Sequence, residues 1–172
     1  TYRFPKWMVC PNCHLMKETN LHNPELIPCI NSKCYKEKLQ QIRFIVVCPT
    51  GHIQDFPWLE WAHKSKSFND DCKYHLKYNS GGGGTLADIR IKCEKCDTRW
   101  RGLSNITGVT TGQDGKVTTF LSKNVHGSSE EFLCKGNSPW HGTENLKGCG
   151  EQLRAVLTVS YTHLRAHETR GN

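Results

Sequence analysis

Ten cysteines in a chain of 172 residues restrict what this sequence can fold into more than any other feature. Four of them form two Cys-x-x-Cys pairs, Cys10 with Cys13 in "VCPNCH" and Cys93 with Cys96 in "KCEKCD". An apolar residue of strand character, Val9 or Ile91, stands just ahead of each tight loop. Two thiolates at this spacing both point inward at one ion, about 2.3 Å from each sulfur, and the loop amides are free to donate to them. A disulfide needs no such spacing. The pattern therefore reads as metal binding in a reducing compartment and not as the cross-linked frame of a secreted domain.

The shortest grouping takes Cys10, Cys13, Cys29 and Cys34 as a closed structural zinc site, with no coordination position left for water. His14 and His22 lie close by and read as surface histidines. Cys93 and Cys96 have to reach further. The partners expected for them are Cys134 in "FLCKGNSPW" and Cys149 in "KGCGE", each set among turn-forming residues. That leaves Cys48 and Cys72, which with His52 and His63 make a Cys-His-His-Cys set of a kind that suits zinc. The alternative for this last group is a buried thiol at the end of a strand, with histidines engaged in hydrogen bonds. Two or three Zn2+ ions are the cofactors expected.

Composition agrees with a metal-pinned chain. Hydrophobic residues make up 36%, a lean supply for a core, so something besides apolar burial is needed. The length suits one domain or two small ones. No apolar run is long enough to span a membrane. The formal net charge of +7 suits an acidic partner such as nucleic acid, and it speaks to association and not to fold. No run of basic residues is long enough to read as a disordered arm.

Along the chain, Gln40–Cys48 reads as a buried strand running into "CPTGHIQDFPWLEWAH". There "PTGH" turns the chain, Asp55 is placed to cap a helix, and Pro57 fits its first turn. Trp58, Trp61 and Ala62 then fall on one helical face. Tyr74, Leu76 and Tyr78 alternate as one strand, and Ile89 and Ile91 lead another into the second knuckle. "SGGGGT" between them reads as a flexible loop. It lacks the Lys-Ser/Thr of a P-loop and the G-x-G-x-x-G spacing of a dinucleotide site. Asp114-Gly115 between β-rich runs predicts a hairpin. Ser128 to Glu131 resembles a capping box, and "GEQLRAVL" is expected to be a helix with Leu153 and Val156 or Leu157 inward.

The fold class expected is α+β: small, strand-rich, loop-rich and of zinc-ribbon or knuckle type. Residues 1–40 form an N-terminal four-cysteine knuckle, and 41–158 form a mixed region holding the Cys/His sites. The last stretch, 159–172, is expected to be non-native. Val159 to Thr169 resembles the conceptual translation of a transposon-derived sequencing adapter, so the natural sequence is expected to stop near Thr158 within a longer protein. Without that tail the basic excess survives.

Five segments carry a family resemblance. "RFPKWMVCPNC" at Arg3, "RFIVVCPTGHIQDFPWLEWAH" at Arg43, "LADIRIKCEKC" at Leu86, "CKGNSPW" at Cys134 and "CGEQLRAV" at Cys149 are similar to the N-terminal portion of the DrmB family of the DISARM antiphage system. The most specific element is the G-H-I-x-D-F-P-W run. The resemblance implies a cytoplasmic bacterial protein that partners a superfamily-two helicase of the DrmA type and helps a complex engage foreign DNA. It carries over no catalytic residues.

The function expected is thus a non-catalytic, zinc-stabilised module that binds DNA or a helicase, with no membrane and no small-molecule substrate. Cations available for phosphate are Arg3, Lys6, Arg43, Lys64, Lys66, Arg99 and Arg101, and such binding falls steeply with salt. A rival reading is a metal-dependent nuclease with His52, Asp55 and His63 around an ion that keeps one open position. A third is a scaffold that contacts only protein through Trp58, Trp61 and Trp140.

Overall fold

The computed structural model describes residues 3–20, 22, 26–34, 37–127, 130–136 and 148–158. The expected non-native tail, Trp140, and Ser128 and Ser129 of the expected capping box lie outside these residues.

The chain is α+β and strand-rich, with short elements throughout. A first sheet has the order β2-β1-β3, formed by Met16–Glu18, Trp7–Val9 and Gln40–Gln41. A second has the order β11-β4-β5, formed by Arg154–Leu157, Phe44–Val47 and Ile53–Asp55. The third, β6-β7-β8, comprises Leu76–Asn79, Arg90–Cys93 and Arg101–Gly102. The fourth is the hairpin of β9 (Val109–Thr111) and β10 (Val117–Thr119), in which Val117 faces Thr111. Gly115 turns that hairpin at φ +74°, a conformation open to glycine at no steric cost, so Asp-Gly does what its sequence predicts.

Two short α-helices lie among the described residues. Helix α1, Trp58–His63, buries Trp58, Trp61 and Ala62, the face that its spacing predicts, and His63 as well. Trp58 meets Phe56 at 4.3 Å between ring centroids and Tyr78 at 5.8 Å, edge to face. These rings centre the main core, which also takes Trp7 and Met16 from the first sheet. A smaller cluster gathers Met8, Cys10, Cys29, Cys34 and Leu39.

Five expectations about secondary structure need correction, the first being that Tyr74 is exposed and ends the 3-10 turn Asp70–Tyr74, ahead of the strand that holds Leu76 and Tyr78. Gln40–Cys48 is not one strand: Gln40–Gln41 pairs with β1, and Phe44–Val47 lies between β5 and β11. The change of sheet falls where the continuous apolar run begins, at Phe44. Asp55 does not cap α1. It ends β5, and its carboxylate accepts the Lys6 amide at 2.8 Å, while Pro57 occupies the cap position without a side-chain bond. "GEQLRAVL" is not a helix, because Arg154–Leu157 pairs along its whole length with Phe44–Val47. Leu153 and Ala155 are buried and Arg154 and Val156 exposed, a period of two that stops at Leu157, exposed at the strand's end. Helix α2, Phe120–Asn124, which sequence reasoning did not anticipate, follows β10 directly, and the Thr119 hydroxyl caps it by accepting the Ser122 amide at 3.2 Å. Glu130 and Glu131 are not helical.

Among the described residues no helix is long and apolar enough to cross a membrane.

Candidate metal centres

All twelve sequence-predicted ligands fall into three groups of four, and within each group the donor atoms lie within 4.8 Å of one another. The groups are Cys10, Cys13, Cys29 and Cys34; Cys48, His52, Cys134 and Cys149; and His63, Cys72, Cys93 and Cys96. The first is the set expected. The other two exchange partners relative to expectation. Cys93 and Cys96 do not meet Cys134 and Cys149, and Cys48 and His52 do not meet His63 and Cys72.

The pairing of strands explains the exchange. Cys48 and His52 stand at the two shoulders of the β4–β5 turn, where Cys48 N donates to His52 O at 3.2 Å and Gly51 turns the chain at φ +90°. Strand β11 runs antiparallel beside β4, with Arg154 opposite Val47, and so brings Cys149 back over Cys48. Cys134 is drawn in by the Leu133–Gln152 bridge and by donation from its amide to Glu151 O at 2.9 Å. The second knuckle ends β7 instead. There Leu76 of β6 is paired with Cys93, α1 packs on β7, and the 3-10 turn Asp70–Tyr74 carries Cys72. His63 at the end of α1 and Cys72 ahead of β6 therefore close on Cys93 and Cys96.

The two knuckles are closed by different bonds around one common backbone feature. In the first, Cys10 N donates to Leu15 O and His14 N to Cys10 O, each at 3.0 Å. In the second, Cys93 N donates to the Thr98 hydroxyl at 2.8 Å and Thr98 N to Cys93 O at 3.1 Å. The residue after the second cysteine is left-handed in both, His14 at φ +63° and Asp97 at φ +44°. His14 and His22 are exposed, as expected of surface histidines.

The donor chemistry fits a soft divalent ion. Cys13 and Cys29 sulfurs are 3.4 Å apart, Cys72 and Cys96 sulfurs are 3.6 Å apart, and all ten thiols are free, so they gather without the bond near 2.05 Å that a disulfide would make. Packing raises the thiols. Burial pushes Cys29 and Cys134 up to about 12, with neighbouring sulfurs adding to it. The Cys72 sulfur, then burial, pushes Cys96 to about 11. Gathered thiols that resist ionisation one by one call for a cation to hold them as thiolates together. Backbone amides prepare others. Burial opposes ionisation of Cys10, but the Cys13 and Asn12 amides outweigh it and the thiol is lowered. Burial likewise opposes ionisation of Cys48, yet the Thr50 hydroxyl and the His52 amide bring it down to about 6.

His63 gives the sharpest sign. It is 2% exposed, its Nδ1 sits 2.7 Å from Leu59 O, and its Nε2 is buried with no hydrogen-bond partner. An Nδ1–H that donates to a carbonyl fixes the tautomer whose Nε2 lone pair is free to ligate, the usual outer support of a zinc-bound histidine. A buried lone pair left without a partner is costly, and a metal among Cys72, Cys93 and Cys96 satisfies it.

Sequence reasoning missed Thr50. Its hydroxyl lies 2.9 Å from Cys48 Sγ, 3.0 Å from His52 Nδ1 and 3.0 Å from Cys149 Sγ, and so supports three donors of the second group. Only its place between Cys48 and His52 hinted at this. Arg101, expected among the phosphate-binding cations, is committed elsewhere. Its guanidinium stacks 3.6 Å from the Trp61 ring centroid and donates to Trp61 O at 2.8 Å, Val125 O at 3.0 Å and Asn124 O. It ties α1 to the end of α2.

The nuclease constellation is not assembled. His52 and His63 belong to different groups, and Asp55 belongs to none of them. The glycine loop is anchored from within, since Thr85 donates to Asp88 through its amide at 3.1 Å and through its hydroxyl at 2.5 Å.

A curated relative, the DISARM protein DrmB of Bacillus paralicheniformis, is 27% identical over 173 aligned residues. The match covers 95% of this chain and 27% of the relative, so the chain spans about a quarter of that protein's length. A family model described as Domain of unknown function (DUF8724) matches residues 1–163, and the chain belongs to that family.

Proposed function

We propose that the chain is a three-zinc, non-catalytic module of a DISARM-type defence protein in the bacterial cytoplasm, and that it meets DNA or a helicase partner of its complex. The observation that carries this reading is the supply of four protein donors to each of three clusters. A closed donor set serves structure, whereas a catalytic zinc keeps one position for water. Thiolate with imidazole favours zinc over the hard cations. The relative named above supports the DISARM assignment, and the basic balance of the chain supports an acidic partner.

The test is elemental analysis of the purified chain, with DNA binding measured at two salt concentrations and a parallel cleavage assay. Three zinc ions per chain, binding that weakens with salt and intact DNA are the results expected. DNA cleavage abolished by His52→Ala overturns the non-catalytic assignment. Fewer than three ions in protein purified under reducing conditions overturns the metal count. Absence of DNA binding at low salt leaves the protein partner as the module's target.

A further inference from the structure

The sheet β6-β7-β8 buries one face and presents the other. Leu76, Ile91 and Cys93 are fully buried on the inner face. By strand alternation Lys77, Asn79, Arg90 and Lys92 point the opposite way. The register sets Lys77 directly across from Lys92 and Asn79 across from Arg90. Like charges opposite one another in an antiparallel pair are destabilising, so this arrangement costs the fold something. Glu94 relieves Lys77 through a 2.9 Å ion pair. Lys92 instead has its ammonium 5.1 Å from the centroid of Trp100.

Trp100 is 41% exposed, beside the cations. It stands two residues before Gly102, which pairs with Arg90 and adds no side chain to cover it. The acids nearby are Glu94 and, at the far end of the strand, Asp88, already held by Thr85. The outer face thus carries an indole with Lys92 beside it and Lys77 and Arg90 on the same face, Arg90 and Lys92 roughly 7 Å apart along one strand. An exposed aromatic ring amid backbone-directed positive charge is the chemistry that holds unpaired bases. Duplex DNA has no base face free to stack, and reading its major groove calls for a helix or ribbon on the surface. The described helices are both short, α1 is buried against β7, and the exposed β9–β10 ribbon has Lys116 as its one cation with Asp114 beside it.

We propose that this sheet face binds single-stranded DNA, with Trp100 stacking on a base and Lys77, Arg90 and Lys92 holding the backbone. The inference rests on the nucleic-acid arm of the function proposed above and gives it a place and a strand form. The test uses the full zinc-loaded chain, an oligothymidylate of about 16 nucleotides and a duplex of equal length, with binding followed by fluorescence anisotropy over a salt series. The single strand is expected to bind more tightly than the duplex. Trp100→Ala should weaken it at least about fivefold and Trp100→Phe should restore most of the loss. The double variant Lys77→Ala/Lys92→Ala should reduce the slope of log affinity against log salt by about 1.4, two phosphate contacts' worth.

Lys116→Ala, on the β9–β10 hairpin, should change nothing. Zinc content is measured for every variant, and Lys77→Ala alone, flanked by no ligand, covers the case in which Trp100→Ala or Lys92→Ala disturbs the knuckle. If the chain binds the oligonucleotide but zinc-replete Trp100 and lysine variants bind as well as the parent, this face is not the site, while the nucleic-acid reading stands. Tighter binding of duplex also overturns the proposal. No binding of either DNA by the parent chain sinks both.

Discussion

The Cys10 cluster and the Cys134 cluster reach the same ligand count by opposite routes. Cys10, Cys13, Cys29 and Cys34 come from one short stretch, and the small apolar group around them is made largely of the cysteines themselves, with Met8 and Leu39. Cys134 and Cys149 meet Cys48 and His52 from far along the chain, and Cys48, Cys72, Cys93 and Cys134 all sit inside the main core. A local cluster can form on its own turn, because little chain entropy is lost in closing it. The distant clusters form only when β11 lies beside β4 and α1 lies on β7. In them metal binding and tertiary folding are one event.

The largest effect that can break this contrast is the loss of whole sites. Structural zinc sites are worth about 10–16 kcal/mol apparent in small peptides. Cys93→Ser or Cys134→Ser should therefore lower the unfolding midpoint of the main core, followed by near-UV circular dichroism, far more than Cys13→Ser does, while leaving it folded in the absence of denaturant. Metal counts by native mass spectrometry sharpen the pairing. Cys48→Ser/Cys149→Ser should lose one ion, because both residues serve one site, and Cys93→Ser/Cys149→Ser should lose two. The reverse pattern would restore the pairing that chain order alone suggests.

That reversal marks what the sequence could and could not convey. The local set is legible because its ligands are near neighbours, and the twelve donors are legible by residue type. Their partition is not, since it depends on which strands pair. "GEQLRAVL" fits a helical face through Leu153 and Leu157 and an alternating strand through Leu153 and Ala155 equally well. Only the empty edge of β4 decides between them. Trp58, Trp61 and Ala62 were legible because their period has no competing reading. Charge alone cannot tell a cation bound to carbonyls from one free for phosphate, and so Arg101 was misplaced. Thr50 carried no signal beyond its position.

A smaller effect tests how the local region is joined to the rest. Asp55 accepts the Lys6 amide and so links β5 to the chain leading into β1. Burial outweighs the Lys6 amide and charge and pushes its carboxyl up to about 6 from 3.8, with Glu18 adding a little. The folded state therefore holds a proton that the unfolded chain has already lost between about pH 4 and pH 6, and stability falls as pH rises through that window. Above it the ionised carboxylate costs up to about 3 kcal/mol. Asp55→Asn keeps an acceptor for Lys6 and removes the charge. It should stabilise the protein by up to about 3 kcal/mol at pH 8 and by roughly half that at pH 5. Denaturant titrations of both proteins at each pH measure the difference, and acid effects on the thiolates cancel between them. An advantage that grows toward low pH would contradict the assignment.

The smallest effect compares the two knuckles directly. His14 and Asp97 follow their knuckles' second cysteines in left-handed backbone, at φ +63° and φ +44°, where a side chain is strained and glycine is not. His14→Gly and Asp97→Gly relieve that strain, but each enlarges the freedom of the unfolded chain, which offsets part of the gain. Each is expected to stabilise by less than about 1 kcal/mol, because histidine and aspartate are among the residues that tolerate this region best. The two turns share this left-handed residue in different settings, one at the edge of a small cluster and one against the main core. If the turn governs the strain, the two gains should agree within error in thermal melts at matched zinc loading. A gain at Cys13's knuckle with none at Cys96's would mean that the main core, and not the turn, holds the second knuckle in shape.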